Sequence, residues 1–302
     1  MTPTAYRLGI DLGGTKIEGA VLDRDGHVVA RKRIAAPRHH YESTIAAIAA
    51  LVADLEASVG STCTVGIGLP GSLSPVTGLL QNANSTWLNS RPFDRDLAGA
   101  LNRPVRTAND ADCFALSEAT DGAAAGAACV FGVILGTGCG GGLVVDGRLI
   151  DGPNGVSGEW GHTPLPWPTP QELDHDACWC GRTGCLETWL SGTALAADHQ
   201  RQTGQSVASE AVVQVAMIGN SAAQATLQRH AHRLARGLAM IVNILDPDVI
   251  VLGGGLSKLA HLYETVPRLM TPYVFSSHPQ VTLKPPRWGD ASGVRGAAWL
   301  WP

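Results

Sequence analysis

Three of the chain's seven cysteines fall in one short run, Cys178-Trp179-Cys180-Gly181-Arg182-Thr183-Gly184-Cys185. Two cysteines one residue apart and a third five residues on, with glycines between, let three thiolates converge on one tetrahedral ion. The N-terminus reaches Arg7 and Asp11 before any apolar run, so no secretory segment is expected, and an odd cysteine count then argues for metal over a disulfide framework. The plain alternative is three buried apolar side chains. Zinc suits such a set, and a fourth ligand is needed to close it.

Three glycine loops offer a second chemistry. Asp11-Leu12-Gly13-Gly14-Thr15-Lys16 lies between two predicted strands, a placement that excludes the dinucleotide fingerprint and the Walker loop, since both open a helix. A Gly-Gly-Thr bend can still turn successive N–H groups toward phosphate oxygens, with Asp11 holding Mg²⁺ through water and Lys16 adding positive charge. Gly136-Thr137-Gly138-Cys139-Gly140-Gly141-Gly142 again lies between two predicted strands. Gly253-Gly254-Gly255 comes after a strand and leads into a predicted helix, where backbone can approach an adenine or an anion. Each loop alone is also explained as an ordinary turn. Together they suggest a nucleotide clamped between two related domains.

Asn109-Asp110 stands where a predicted strand ends and a helix begins, which aims polar side chains at such a cleft; a helix N-cap is the alternative. Phosphoryl transfer to an alcohol needs a carboxylate in reach of the hydroxyl proton.

The elements behind these residues read as α/β. Arg7–Leu12, Glu18–Asp23 and Val28–Ile34 form a predicted meander, with Asp25-Gly26 as one turn. A helix begins from Ser43 as N-cap, with Ile45, Ile48, Leu51, Val52 and Leu55 on one face. Thr64–Leu69, Pro104–Ala108, Cys129–Leu135 and Asp248–Leu252 read as strands, and Ala111–Ala119, Leu186–Asp198 and Ser221–Leu245 as helices. Asp146-Gly147 marks a hairpin, and Pro164 to Asp176 an irregular loop. Strands alternating with helices in both halves indicate two sheets, in domains spanning 1–121 and 122–289, with a C-terminal helix in 290–302 packing back on the first.

Composition limits the function. The chain's 302 residues are 45% hydrophobic, which excludes wholesale disorder. A net charge of −4 argues against a protein that grips nucleic acid by charge. Gly122 to Val145 carries no charged residue, but eight of its 24 residues are glycine, so it reads as buried strand and loop rather than a membrane span. A cytoplasmic protein is expected.

With these loops in place the chain resembles the ROK sugar kinases, within the actin-like, ribonuclease-H-like ATPase fold. The resemblance runs from Gly9 to Gly293-Val294-Arg295-Gly296-Ala297-Ala298, nearly the whole chain. Among ROK proteins it most resembles bacterial fructokinases, through Asn82-Ala83-Asn84-Ser85-Thr86-Trp87-Leu88-Asn89 and the ending Ala298-Trp299-Leu300-Trp301. It implies an ATP-dependent fructokinase that phosphorylates D-fructose at the 6-hydroxyl, with ATP, Mg²⁺ and sugar in an interdomain cleft. The alternatives are a glucose, mannose or N-acetylhexosamine kinase, or a sugar-sensing regulator. Such regulators carry an added N-terminal DNA-binding segment; here the first nucleotide loop begins at Gly9, so no nucleic-acid partner is expected. A homodimer is implied.

The resemblance also implies roles. Asp110 is the catalytic base, with Asn109 binding sugar beside it; Asp112, by its place two residues on, reads as a solvent-facing first-turn charge. Glu159, His162 and Glu187 contact the sugar, and Gly71 and Asn84 form the far wall. Asp11, Gly13, Gly14, Thr15, Lys16, Gly136, Thr137, Gly138, Gly254 and Gly255 hold ATP. His162 completes the zinc set with Cys178, Cys180 and Cys185, while His175 lacks a matching motif and reads as a loop residue. Five of the eight tryptophans (Trp87, Trp160, Trp167, Trp179 and Trp189) lie in this region, where an indole can pack on sugar or on core. A structural zinc would pin Glu159 and Glu187, so chelation is expected to weaken sugar binding before nucleotide binding.

Overall fold

The computed structural model describes residues 6–173 and 176–302; His175 lies outside the described residues. The chain divides into two units. The first runs to Gly126 and takes in Gly142–Ser157 and Arg287–Pro302; the second holds Ala127–Gly141 and Gly158–Pro286. Gly142–Ser157 thus groups with the first unit, where the sequence suggested the second domain.

The first unit is built on β1 (Arg7–Leu12), β2 (Lys16–Leu22), β3 (Val28–Ala35), β4 (Thr64–Leu69) and β7 (Val105–Asn109), in the order β3-β2-β1-β4-β7. β1–β2 and β2–β3 are antiparallel, while β4 runs parallel to both β1 and β7. The two-residue strands β5 (Ser72–Leu73) and β6 (Leu80–Gln81) pair with each other. Alternation of side chains along β1 sends Ile10 and Gly9 to opposite faces. On the Ile10 side lies α1 (Tyr41–Val59), whose Leu51 and Leu55 crowd Gly19. On the other lies α9 (Ser292–Trp299). A Cβ on Gly9 would stand 1.9 Å from the Val294 carbonyl oxygen, and one on Gly66 1.8 Å from that of Ala297, so bare backbone is required at both.

α1 begins at Tyr41 with His40 as its N-cap, rather than at Ser43. Tyr41 is buried and donates its hydroxyl to Asp96 Oδ2 at 2.7 Å, on α2 (Phe93–Leu101), a helix with no clear signal in the sequence. α3 (Asp110–Thr120) continues from β7 without a break.

The second sheet has the order β10-β9-β8-β11-β12, from β8 (Cys129–Leu135), β9 (Cys139–Val145), β10 (Arg148–Leu149), β11 (Val249–Gly253) and β12 (Leu283–Lys284). The charge-free stretch therefore supplies two strands, and no helix among the described residues is long and apolar enough to cross a membrane. Leu186–Asp198 is two helices, α4 (Glu187–Leu190) and α5 (Gly192–Thr203), because Ser191 is extended and its side chain accepts the Ala194 N–H at 3.0 Å. α6 (Ser209–Met217), α7 (Ser221–Leu245) and α8 (His261–Met270) complete the unit.

Buried charge ties the Pro164–Asp176 loop to α7. Glu172 sits in a short turn, Pro170–Glu172, and accepts from Arg233 Nε at 2.8 Å and from both terminal nitrogens of Arg236 at 2.8 Å. Arg233 also donates to Asp198 on α5 at 3.0 Å. Burial alone would raise the Glu172 carboxyl, but Arg236 and Arg233 outweigh it and hold the group down to about 2 from the ordinary 4.5. A folded-state value below the unfolded one stabilises fully above the unfolded value, and that contribution fades as pH falls through the folded one. Acid melting of the protein is therefore expected to steepen between pH 4.5 and about 2. Glu172→Gln should remove that limb and, by leaving buried Arg236 without a carboxylate partner and Arg233 with Asp198 alone, destabilise the fold by about 3–5 kcal/mol at neutral pH, as read by urea titration.

Candidate functional site

In the first unit the carboxyl ends of parallel β1, β4 and β7 share one edge, the usual ligand side of such a sheet. Asp11, Gly71 and Asn109-Asp110 all stand there. Asp11 is half-buried opposite Glu18, and its carboxyl is raised above its ordinary value by burial and the Glu18 charge, with Lys16 and Arg33 opposing. Among the described residues Asp11 forms no ion pair. Such a carboxylate suits a hydrated divalent cation.

The bend at Gly13–Thr15 departs from a fully open cradle. The Gly13 N–H is committed to the Lys16 carbonyl at 3.0 Å, so only Gly14 and Thr15 offer amides there. Lys16 opens β2 and is exposed. A Cβ on Gly14 would lie 3.2 Å from the hydroxyl of buried Ser85, which brings the 82–89 loop against the bend. Asn89 locks that loop, accepting the Ala83 N–H at 2.9 Å and donating to the Ala83 carbonyl at 3.0 Å, and Asn84 is exposed on it. Gly71 is buried, and a Cβ there would meet the Gln81 carbonyl at 2.4 Å. Bare backbone at Gly71 lets the chain bearing Asn84 come close.

Asn109, not Asp110, is the N-cap of α3, its Oδ1 accepting the Ala111 N–H at 2.8 Å. With that oxygen committed, Asn109 can offer a ligand its NH₂ donors. Asp110 Oδ1 also accepts the Ala111 N–H at 2.8 Å, and the residue is exposed in the first turn.

In the second unit His162, Cys178, Cys180 and Cys185 bring their ligand atoms within 4.8 Å of one another. Cys178 Sγ is 3.5 Å from His162 Nδ1, and Cys180 Sγ is 3.6 Å from Cys185 Sγ. Two thiolates on one tetrahedral zinc stand about 3.8 Å apart at the usual Zn–S length, so the set fits the ion. With Nδ1 turned to the sulfurs, Nε2 of His162 is the nitrogen left for another partner. Glu159 precedes the short turn Trp160–His162 and is half-buried; burial, with the Glu187 charge, raises its carboxyl against the lowering effect of His162. Glu187 opens α4 and receives the Cys139 N–H on Oε2 at 2.9 Å and the Trp179 indole N–H on Oε1 at 2.6 Å.

The two glycine loops of this unit meet. β8 and β11 are parallel neighbours, so Gly136–Gly138 and Gly254–Gly255 leave the sheet side by side. Gly254 has φ +78°, and a Cβ there would lie 2.4 Å from the Leu135 carbonyl, so only glycine fits. Beyond it the chain makes a short turn, Gly255–Lys258, and α8 starts only at His261. The helix expected behind Gly253–Gly255 thus begins as this single 3₁₀ turn, and the α-helix itself is delayed to His261. The helix that starts beside the loops is α5, with the Gly192 N–H on the Gly136 carbonyl at 2.7 Å and the Thr193 hydroxyl on that of Thr137 at 3.1 Å.

The tryptophans divide. Trp160 is core: it packs edge-on against Phe131 at 6.0 Å and donates to the Gly140 carbonyl at 2.9 Å. Trp189 is buried under Arg233, 4.5 Å from its ring. Trp87 packs on His39, and Trp167 on Tyr273. Trp179 is 66% exposed and stands edge-on to His162 at 5.0 Å. Sequence reasoning missed the two donors to Glu187 and the Ser85 contact behind Gly14: Cys139 and Ser85 come from loops distant in sequence, and the Trp179 bond, only eight residues away, depends on how the cysteine loop folds back.

Two α/β sheets with glycine loops at the ends of their parallel strands define the actin-like, ribonuclease-H-like fold expected from the sequence. The chain matches the ROK family over residues 7–302 and belongs to it. It is 37% identical to an N-acetyl-D-glucosamine kinase of Pasteurella multocida, over 97% of this chain and 98% of that protein. A ROK hexokinase from Thermus thermophilus superposes with a TM-score of 0.86 at 31% identity, covering 97% of this chain and 96% of its own. A ROK family glucokinase from Streptomyces griseus, solved with glucose and AMPPNP, gives 0.80 at 26% identity and 98% coverage of each chain.

The Cys/His geometry can be tested directly by elemental analysis. Purified protein is expected to carry a stoichiometric zinc, and Cys185→Ser to retain roughly a tenth of it or less.

Proposed function

We propose that the protein is an ATP-dependent kinase of N-acetyl-D-glucosamine, transferring the γ-phosphoryl group to the sugar 6-hydroxyl. The observation that carries this reading is its end-to-end relation to N-acetyl-D-glucosamine kinases. That relation displaces the fructose expectation in favour of the N-acetylhexosamine alternative. The signatures behind the fructose expectation have structural work to do. Asn82–Asn89 is a loop locked by Asn89 on Ala83, and the chain end is held by Trp301, which donates to the Val65 carbonyl at 2.7 Å and accepts from Arg7 at 3.1 Å. Neither set identifies a sugar.

Asp110 takes the proton of the attacking hydroxyl as general base. The NH₂ donors of Asn109 hold the sugar beside it. Glu159, whose charge is disfavoured by burial, accepts from ring hydroxyls that relieve it, and His162 Nε2 supplies a further contact. Amides of Gly14 and Thr15, of Thr137 and Gly138, and of the 254–255 loop steady the phosphates. Asp11 would hold Mg²⁺ through water, and the ion supplies charge neutralisation on the phosphates. The zinc would be closed by His162, Cys178, Cys180 and Cys185, with no open position, so its part is structural.

A panel of N-acetylglucosamine, N-acetylmannosamine, glucose, mannose and fructose, assayed with ATP and Mg²⁺, tests the reading. The highest kcat/KM is expected for N-acetylglucosamine, and a clear preference for fructose would overturn the substrate. Asp110→Asn should cut kcat by about 10²–10⁴-fold while sugar affinity stays within a few-fold. Near-normal turnover in that variant would remove Asp110 as the base.

A further inference from the structure

Glu187, expected to contact sugar, has each carboxylate oxygen engaged by a protein donor. The Cys139 N–H reaches Oε2, and the indole N–H of Trp179 reaches Oε1. These donors belong to different loops: Cys139 closes the glycine loop that begins at Gly136, and Trp179 lies between the ligating residues Cys178 and Cys180. Gly138 is pressed onto the same carboxylate, since a Cβ there would stand 2.7 Å from Oε2. A cavity of about 330 Å³ runs along this line, with Thr137, Glu187, Trp179 and Cys178 in its wall. A carboxylate held at both oxygens by charge-assisted bonds has little freedom to turn. Trp179, largely exposed, gains little from burial, so its directed N–H is the more telling feature of its placement.

We propose that Trp179 is a positioning residue: its indole N–H fixes Glu187 as a strut between the Cys/His cluster and the 136–139 loop, so that filling the cluster sets that loop for nucleotide. This rests on the reading of the loop as part of the ATP site. It also changes the expected order of events on chelation. Losing the metal frees Trp179, and through Glu187 the glycine loop, so nucleotide binding weakens together with sugar binding rather than after it.

Trp179→Phe keeps an aromatic ring and the four ligands but removes the indole N–H together with its five-membered ring. Three quantities are measured on the full chain: zinc content, AMPPNP and N-acetylglucosamine affinities by calorimetry, and amide exchange over residues 136–141 without ligands. The expected result is full zinc, faster exchange at 136–141, and AMPPNP bound roughly 5-fold or more weakly. Stripping zinc from the unsubstituted protein should give the same changes, and stripping the variant should add little, because both break one linkage. Unchanged exchange and unchanged AMPPNP affinity in a zinc-loaded variant would overturn the proposal. If Trp179→Phe loses zinc, Glu187→Gln is measured in its place, with the same expected and overturning results. Faster exchange in a variant whose parent protein binds no AMPPNP would support the strut and overturn the nucleotide reading alone.

Discussion

At Gly9 and Gly66 the first sheet offers bare backbone, and the last helix rests directly on it. That contact organises the first unit. It draws Gly293 to within 3.7 Å of the Asp11 carboxyl, measured from the position a Cβ would take. It also lays α9 against α3, where a Cβ on Gly296 would stand 1.6 Å from the Cys113 carbonyl oxygen. The far end of α3 is held by the same stretch of chain: Glu118 accepts the Ser292 hydroxyl at 2.7 Å and the Arg287 N–H at 3.0 Å, and Arg295 pairs with Asp121. Asp110 opens this helix. Its position is therefore fixed by residues nearly two hundred positions later in the chain.

The second unit is organised by a break. Ser191 interrupts what hydrophobic spacing reads as one helix, and the new start at Gly192 turns an N–H onto Gly136. Glu187, on the short helix before the break, holds the other end of the same loop through Cys139. The Pro164–Asp176 segment that leads toward the cysteines is held to α7 by buried ion pairs, with Arg233 reaching Asp198 on α5 as well. Loop, cluster and helices are thereby tied together by polar groups, in a region where apolar contact alone would allow sliding.

Local pattern made much of this legible. Thr64–Leu69, Cys129–Leu135 and Ser221–Leu245 fall where alternation and helical periodicity put them, because each has a strong apolar rhythm. The cysteine spacing pointed to a tetrahedral set, and the four ligand atoms do converge. Shorter or mixed elements were not readable. α2 and α6 are nine residues each, and α6 ends in the exposed apolar pair Met217-Ile218, which blurs its amphipathic pattern. The helix expected behind Gly253–Gly255 is delayed to His261, because glycine at positive φ turns the chain into a short 3₁₀ turn first. The sugar was least legible. The run that suggested fructose is conspicuous because its asparagines build a loop, and a sequence displays the building of a loop and the reading of a ligand in the same letters.

The clamp of Asn89 on Ala83 separates two duties within eight residues. One asparagine holds the backbone of the loop from behind, and another, Asn84, stands exposed on it without bearing its weight. Replacement of the second can proceed over evolutionary time while the scaffold survives. The outward residue is thus free to vary in kind without any change in the backbone that carries it.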